Sequence, residues 1–174
     1  MGRKTNIIKI IFTGPVGAGK TTAIESISDS KVLRSEVKAS KQIRADKQQT
    51  TVAMDYGTLT LKTGQRLHFY GTPGQQRFKF MWPILTRGGQ GLVLFIDNAR
   101  PDPLADLHHF LDAFNPFIQS TQIVIGITRT DISQRLKIKD YQGVLQQRGQ
   151  SCPIKKVDAR CAKEVKNLVN LLRL

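Results

Sequence analysis

The chain has little cysteine, little acid and no long apolar run, and each scarcity excludes a class of protein. Two cysteines in 174 residues, Cys152 and Cys161, fit neither a metal-binding spacing nor a disulfide framework. A disulfide-stapled secreted scaffold is excluded, and reduced thiols in a cytoplasmic protein are expected. No uninterrupted apolar stretch approaches the ~20 residues needed to cross a bilayer. The opening Met1-Gly2-Arg3-Lys4-Thr5-Asn6 lacks the pattern of a secretory signal, and Asn6 breaks the myristoylation pattern. Leu171-Leu172-Arg173-Leu174 carries no prenylation box. The expected location is the cytoplasm, with peripheral membrane contact as the alternative. Acidic residues number 13 against 27 Lys and Arg, a formal charge of +14. A field of that sign attracts nucleic acid, anionic lipid or an acidic protein without choosing among them. Six basic and two acidic residues lie between Lys31 and Gln49, and ten basic and three acidic from Ser133 onward. These runs lack the interleaved aromatics of a single-strand platform, so no specific nucleic acid is expected.

What is present is a regular alternation. A length of 174 residues suits one compact α/β domain over residues 1–174, able to bury a self-sufficient core. Ile7-Ile8-Lys9-Ile10-Ile11-Phe12 reads as a strand, followed by a glycine-rich turn and a helix from about Lys20. Residues Asp29 to Gln49 are polar and basic with weak periodicity, which predicts a mobile loop with at most a short helix. Strands at Val52–Leu61 and Arg66–Tyr70 are joined by a hairpin at Lys62-Thr63-Gly64-Gln65. Gly91 to Asp97 and Gln122 to Ile127 are continuous apolar runs, as buried parallel strands require. Between them Leu104, Leu107, His108, Leu111 and Phe114 recur at helical spacing. A last strand near Pro153–Val157 precedes a helix with Val165, Leu168, Val169 and Leu172 on one face. The expected fold is α/β: a mostly parallel six-stranded sheet with one antiparallel edge strand and helices on both faces. Ligands bind such sheets at the carboxyl ends of the strands.

Gly14-Pro15-Val16-Gly17-Ala18-Gly19-Lys20-Thr21 fits the pattern G-x-x-x-x-G-K-[ST], between a strand and a helix. Glycines there let backbone N–H groups turn inward around phosphate oxygens. Lys20 adds a cation at the β- and γ-phosphates, Thr21 offers a hydroxyl to magnesium, and Thr22 follows in the helix, whose N-terminus favours negative charge. The pattern specifies a nucleoside triphosphate and leaves the base open.

Two later loops address the base. Thr128-Arg129-Thr130-Asp131 follows a buried strand. A carboxylate at Asp131 can accept from both N1–H and the 2-amino group of guanine, and Arg129 can lie against the ring. Thr-x-x-Asp also reads as an ordinary helix cap. Asp158-Ala159-Arg160, after the final strand, can offer a backbone N–H to the guanine O6.

With these motifs in order, the chain from Asn6 to Leu174 resembles the Ras superfamily of small GTPases, and more closely its prokaryotic Arf-like and MglA-type branch. The resemblance implies a P-loop GTPase domain that binds GTP and GDP with Mg2+, hydrolyses GTP slowly and signals through two loops. It matches the first of these loops to Thr51, with Thr50 as the alternative, and the second to Gly71-Thr72-Pro73-Gly74-Gln75. Thr51 would close over the metal and the γ-phosphate, Gly74 would bond that phosphate through its N–H, and Gln75 would orient the attacking water. Lys20 would complete the catalytic set, and Thr21 and Thr51 the metal ligands. An activating or effector protein is implied at these loops, with roadblock-type dimers as a candidate class; basic charge offers weak contact with anionic membrane as a competing idea.

Two departures stand out. The family's aspartate ahead of the second loop is Gly71 here, and a phosphate-loop glycine is Val16, whose side chain would crowd an arginine finger. Both bear on hydrolysis more than on binding. A nucleotide-binding module with negligible hydrolysis and a P-loop ATPase or kinase are the rival readings; the latter gives Asp131 no task. Phe78, Phe80, Met81 and Trp82 form either a partner-binding patch or helix core, with core expected for most. His68, His108 and His109 lack ligand spacing.

Overall fold

A computed structural model describes residues 7–39 and 50–174. In chain order the elements are β1 (Ile7–Thr13), α1 (Lys20–Ile27), β2 (Leu33–Ala39), β3 (Thr50–Thr60) and β4 (Arg66–Gly71). A 3-10 helix (Gln76–Met81) then leads into α2 (Trp82–Thr86) and β5 (Gly91–Asp97). After these come α3 (Pro103–Ala113), α4 (Asn115–Ile118), β6 (Gln122–Thr128), α5 (Ile138–Gln147), β7 (Ile154–Lys156) and α6 (Ala162–Asn170).

The strands form one seven-stranded sheet in the order β2-β3-β4-β1-β5-β6-β7. Only β3 runs against the others: it is antiparallel to both β2 and β4, and every other pairing is parallel. The expected architecture is present with one strand more than the six expected. The addition is β2, in the stretch read from sequence as a loop; its backbone pairs with β3 from Leu33↔Tyr56 to Ala39↔Thr50. The antiparallel strand is therefore interior, with β2 as the edge.

Continuous apolar runs form the middle of the sheet because both faces are covered. Every residue of β5 is buried. On one face Phe12, Phe69 and Phe95 pack with Ile24 of α1 and Val165 and Leu168 of α6. On the other, Ile96, Ile125 and Ile127 pack with Leu107 and Leu111 of α3 and Tyr141 and Leu145 of α5. Phe78, Met81 and Trp82 are buried, as core residues should be, while Phe80 is exposed.

The strand order reverses at β1, whose neighbours β4 and β5 both follow it in the chain. The crossover from β1 leads toward the β2 side and the one from β4 passes β1 to reach β5, which opens a crevice at the carboxyl end of β1. The loop that follows β1 is the phosphate-loop sequence.

Candidate functional site

The loop after β1 is shaped by its glycines. Gly14 has φ +139°, and a Cβ on it would lie 2.1 Å from the Phe95 carbonyl oxygen, so no side chain fits. At the same level Thr13 and Thr72 share a buried hydrogen bond of 2.8 Å between hydroxyls. It ties the end of β1 to the start of the Thr72–Gln75 loop.

Lys20 opens α1 with its side chain folded back into the loop. Its Nζ donates to the carbonyl oxygens of Gly14 (2.8 Å) and Pro15 (2.7 Å). The residue is only 8% exposed, and burial pulls its pKa down to about 8 against the opposing charge of Asp55. A desolvated ammonium held by two carbonyls is primed for an anion that brings more negative charge.

Thr21 and Thr22 follow in the first turn of α1. The Thr21 hydroxyl donates to Oδ2 of Asp55, a β3 residue that sequence reasoning passed over. Asp55 stands opposite Gly71 in the β3–β4 ladder.

The base loops are fastened to the phosphate loop. Thr128 ends β6, is buried, and donates from its hydroxyl to the Ala18 carbonyl at 3.1 Å and the Ile96 carbonyl at 3.4 Å. A Cβ on Gly19 would lie 2.9 Å from Ala159 Cβ, so the loop after β7 rests directly against the phosphate loop. Arg129 adopts φ +55° and places a guanidinium nitrogen 2.9 Å from Oδ2 of Asp97, a buried residue at the end of β5. This anchor, also missed from sequence, fixes where the Arg129 stem lies. Asn98 donates to the Ser133 carbonyl at 2.6 Å and accepts from the buried Tyr141 hydroxyl at 2.5 Å, which holds the loop beyond Asp131.

In the last loop Arg160 forks onto Asp158, at 2.9 Å from Nε and 2.8 Å from a terminal nitrogen. The Arg160 side chain and backbone hydrogen bonds hold the Asp158 carboxyl down at about 2. The Asp158 N–H donates to Glu164 Oε2 at 2.8 Å and the Arg160 N–H to Asp158 Oδ1 at 2.9 Å, which leaves the Ala159 N–H of this run as the backbone donor facing the cleft. Arg160 also comes within 4.0 Å of Asp131, whose carboxylate is well exposed.

These segments line one cleft of about 450 Å3: residues 17–22 from the loop and α1, Thr128, Arg129, Asp131 and Ile132 after β6, and Asp158, Ala159 and Arg160 after β7. Gly74 and Gln75 do not line it. Gly74 packs on the phosphate loop, where a Cβ on it would lie 2.7 Å from Val16 N and 2.8 Å from Lys20 Nζ. Gln75 is exposed at the start of the 3-10 helix, and the Val16 side chain is exposed as well. Thr51 lies in β3 opposite Lys38, and Thr50 opposite Ala39, four and five residues before Asp55; their side chains fall outside the described residues. At the rise of a strand Thr51 lies roughly 13 Å along β3 from Asp55.

The histidines are placed without metal chemistry. His68 Nδ1 meets the Tyr56 hydroxyl at 2.8 Å, His108 Nδ1 lies 3.4 Å from Arg148, and His109 sits edge-on to Trp82 and Phe110. Among the described residues no group of three His, Cys, Asp or Glu could hold a metal. No described helix is long and apolar enough to cross a membrane.

Comparison with known proteins agrees with this geometry. A family model described as Ras family matches residues 9–173. The uncharacterized protein MJ1339 of Methanocaldococcus jannaschii is 34% identical over 131 residues, 74% of each chain. Ras-related protein RabC of Dictyostelium discoideum is 24% identical over 79% of this chain and 67% of its own. ADP-ribosylation factor-like protein 3 of Saccharomyces cerevisiae is 24% identical over 78% of this chain and 66% of its own.

Proposed function

The chain belongs to the Ras family of small GTP-binding proteins that hydrolyse GTP, and from that premise we propose a nucleotide-dependent switch that binds GTP and GDP with Mg2+ and hydrolyses GTP slowly. The observation that carries the reading is the cleft that joins the phosphate loop to both base loops, fastened by Thr128 on Ala18 and by Ala159 on Gly19.

In this reading the backbone from Gly14 to Gly19 and the Lys20 ammonium hold the polyphosphate. Asp131 accepts from the guanine edge, Arg129 lies along the ring with its head on Asp97, and the Ala159 N–H donates to O6. The metal side fits as well. The Thr21 hydroxyl and the Asp55 carboxylate are hard oxygen groups placed together beside Lys20, and Mg2+ takes few protein oxygens beside phosphate and water. Bound there, Mg2+ would neutralise charge on the β- and γ-phosphate oxygens.

Gln75 orients water and Gly74 donates its N–H to the γ-phosphate once the loop lifts from the phosphate loop. Bringing Thr51 to the metal requires it to leave its ladder position opposite Lys38. Those rearrangements are the switch, and they support slow unaided hydrolysis, because Gln75 starts exposed and Thr51 starts in its ladder position. A regulator or effector, with roadblock-type dimers as a candidate, engages the second loop and the helices that follow it, where Phe80 and Ile84 are 41% and 56% exposed.

Titration with GDP against ADP tests the proposal. GDP is expected to bind and ADP to bind far more weakly. Asp131→Asn is expected to weaken GDP by about 2–3 kcal/mol and to improve xanthosine diphosphate, since a site built for a polar edge rejects one that leaves its groups unpaired. Equal binding of GDP and ADP, or no change in Asp131→Asn, overturns the assignment.

A further inference from the structure

The single tryptophan of the chain is tied to the second loop. Trp82 begins α2 and is buried, and its indole N–H donates to the Pro73 carbonyl at 3.0 Å. The ring is rooted on α3, stacked on Phe114 at 5.0 Å between centroids and lying against Phe110 at 5.3 Å. A buried tryptophan has one polar atom to satisfy, and here that atom holds a segment that bears on the phosphate loop. Pro73 is itself buried, and it follows Thr72, whose N–H donates to the Phe12 carbonyl at 2.8 Å. The peptide unit that supplies the Pro73 carbonyl also carries the Gly74 N–H. That unit is trans and planar, so holding one end holds the other. Gly74 then meets the phosphate loop: the 2.7 Å and 2.8 Å approaches of a Cβ on it are to Val16 N and Lys20 Nζ. A chain of contacts thus runs from the aromatic rings of α3 through one hydrogen bond to the residue beside the Lys20 ammonium.

We propose that Trp82 sets the preference between diphosphate and triphosphate: by holding the Pro73 carbonyl it keeps Gly74 where the third phosphate must enter. The inference rests on the nucleotide reading above. A third phosphate that reaches Lys20 needs the space Gly74 fills, so GTP binds the form in which the loop has lifted and the Trp82–Pro73 bond has opened. GDP ends one phosphate short and binds either form. A ligand confined to one form is weakened by the fraction of protein in that form, and the indole bond lowers that fraction for GTP alone. Trp82 is a positioning residue here: it touches no nucleotide and acts through the Pro73–Gly74 peptide. Its burial among Phe110 and Phe114 gives the bond a fixed base on α3, so the loop moves and the tryptophan need not.

The experiment compares calorimetric affinities for GDP and for a non-hydrolysable β,γ-imido GTP analogue, with Mg2+ present, in the parent and in Trp82→Phe. Phenylalanine keeps an aromatic ring against Phe110 and Phe114 and removes only the donor. The expected result is a triphosphate-to-diphosphate affinity ratio raised roughly 2–12-fold, the weight of one neutral hydrogen bond, with GDP affinity unchanged. An unchanged ratio, or a fall of both affinities in equal proportion, overturns the proposal. A second measurement needs no variant. With one tryptophan in the chain the indole N–H gives one resonance, and its exchange with solvent is followed in the two complexes of the parent. Exchange is expected to be slow with GDP and at least about tenfold faster with the triphosphate analogue, as an opened hydrogen bond requires. Equal protection in both complexes overturns the proposal even where Trp82→Phe fails to fold. A parent that fails to bind GDP in the first titration overturns the nucleotide reading instead, which separates the two failures.

Discussion

Nucleotide affinity is expected to fall as pH rises through the range where Lys20 titrates. The lysine is 8% exposed, donates to two loop carbonyls, and has its pKa drawn down to about 8 by burial. In the nucleotide-free protein the amine is therefore mostly charged near pH 7 and mostly neutral near pH 9. Polyphosphate binds the charged form and raises its proton affinity again, so binding at high pH must take up a proton. The sign follows: affinity is full below the depressed value and lost as pH climbs above it. With the nucleotide-free value near 8, a rise from about pH 7 to about pH 9 weakens GDP roughly tenfold, or about 1.4 kcal/mol. Calorimetric titration at fixed Mg2+ over that range measures it, and repetition in buffers of different ionisation enthalpy counts the proton taken up. Lys20→Arg is the control. Its guanidinium stays charged throughout, so its profile, although displaced to weaker binding, is expected to show only the titration of the nucleotide itself. A flat profile in the parent, or equal slopes in the parent and Lys20→Arg, refutes the reasoning.

Single-turnover hydrolysis by the isolated protein is expected to be slow and little changed by Gln75→Leu, with the substitution abolishing whatever acceleration a partner brings. An unaided rate near that of activator-stimulated Ras, about 5–20 per second, shows that Gln75 needs no partner to position it. Tyr141→Phe removes a buried hydroxyl that donates to Asn98 at 2.5 Å. Loss of that bond leaves an amide oxygen unpaired and is expected to lower unfolding free energy by about 1–3 kcal/mol in urea titration; an unchanged midpoint shows that the Asn98 oxygen finds another donor.

The phosphate loop and the main strands were legible because their signals are local. A turn that admits backbone at 2.1 Å from the Phe95 carbonyl requires glycine at 14 wherever the rest of the chain goes. The runs Gly91–Asp97 and Gln122–Thr128 are apolar on both faces because each is covered twice, and the helical faces of α3 and α6 repeat at their own period. Strand β2 was not legible. Leu33, Val37 and Ala39 alternate with Arg34, Glu36 and Lys38 only in part, and an edge strand is stabilised by its partner's backbone, which leaves a faint mark on composition.

The residues around the motifs divide in the same way. The chain alone determined that a glycine-rich loop of the pattern G-x-x-x-x-G-K-[ST] precedes a helix, and that Thr128 to Asp131 and Asp158 to Arg160 follow strands; each is a property of consecutive residues. Tertiary structure decided which distant groups complete them. Asp97 meets Arg129 across two adjacent parallel strands, Thr128 reaches Ala18 over 110 positions, and Asp55 stands beside Gly71 because a hairpin sets their register. A glycine at 71, where the resemblance implies a carboxylate, reads as a deficit along one strand. Only pairing with β3 shows a carboxylate already there, because register between strands is fixed by the hairpin and by the buried face, and neither is a property of position 71.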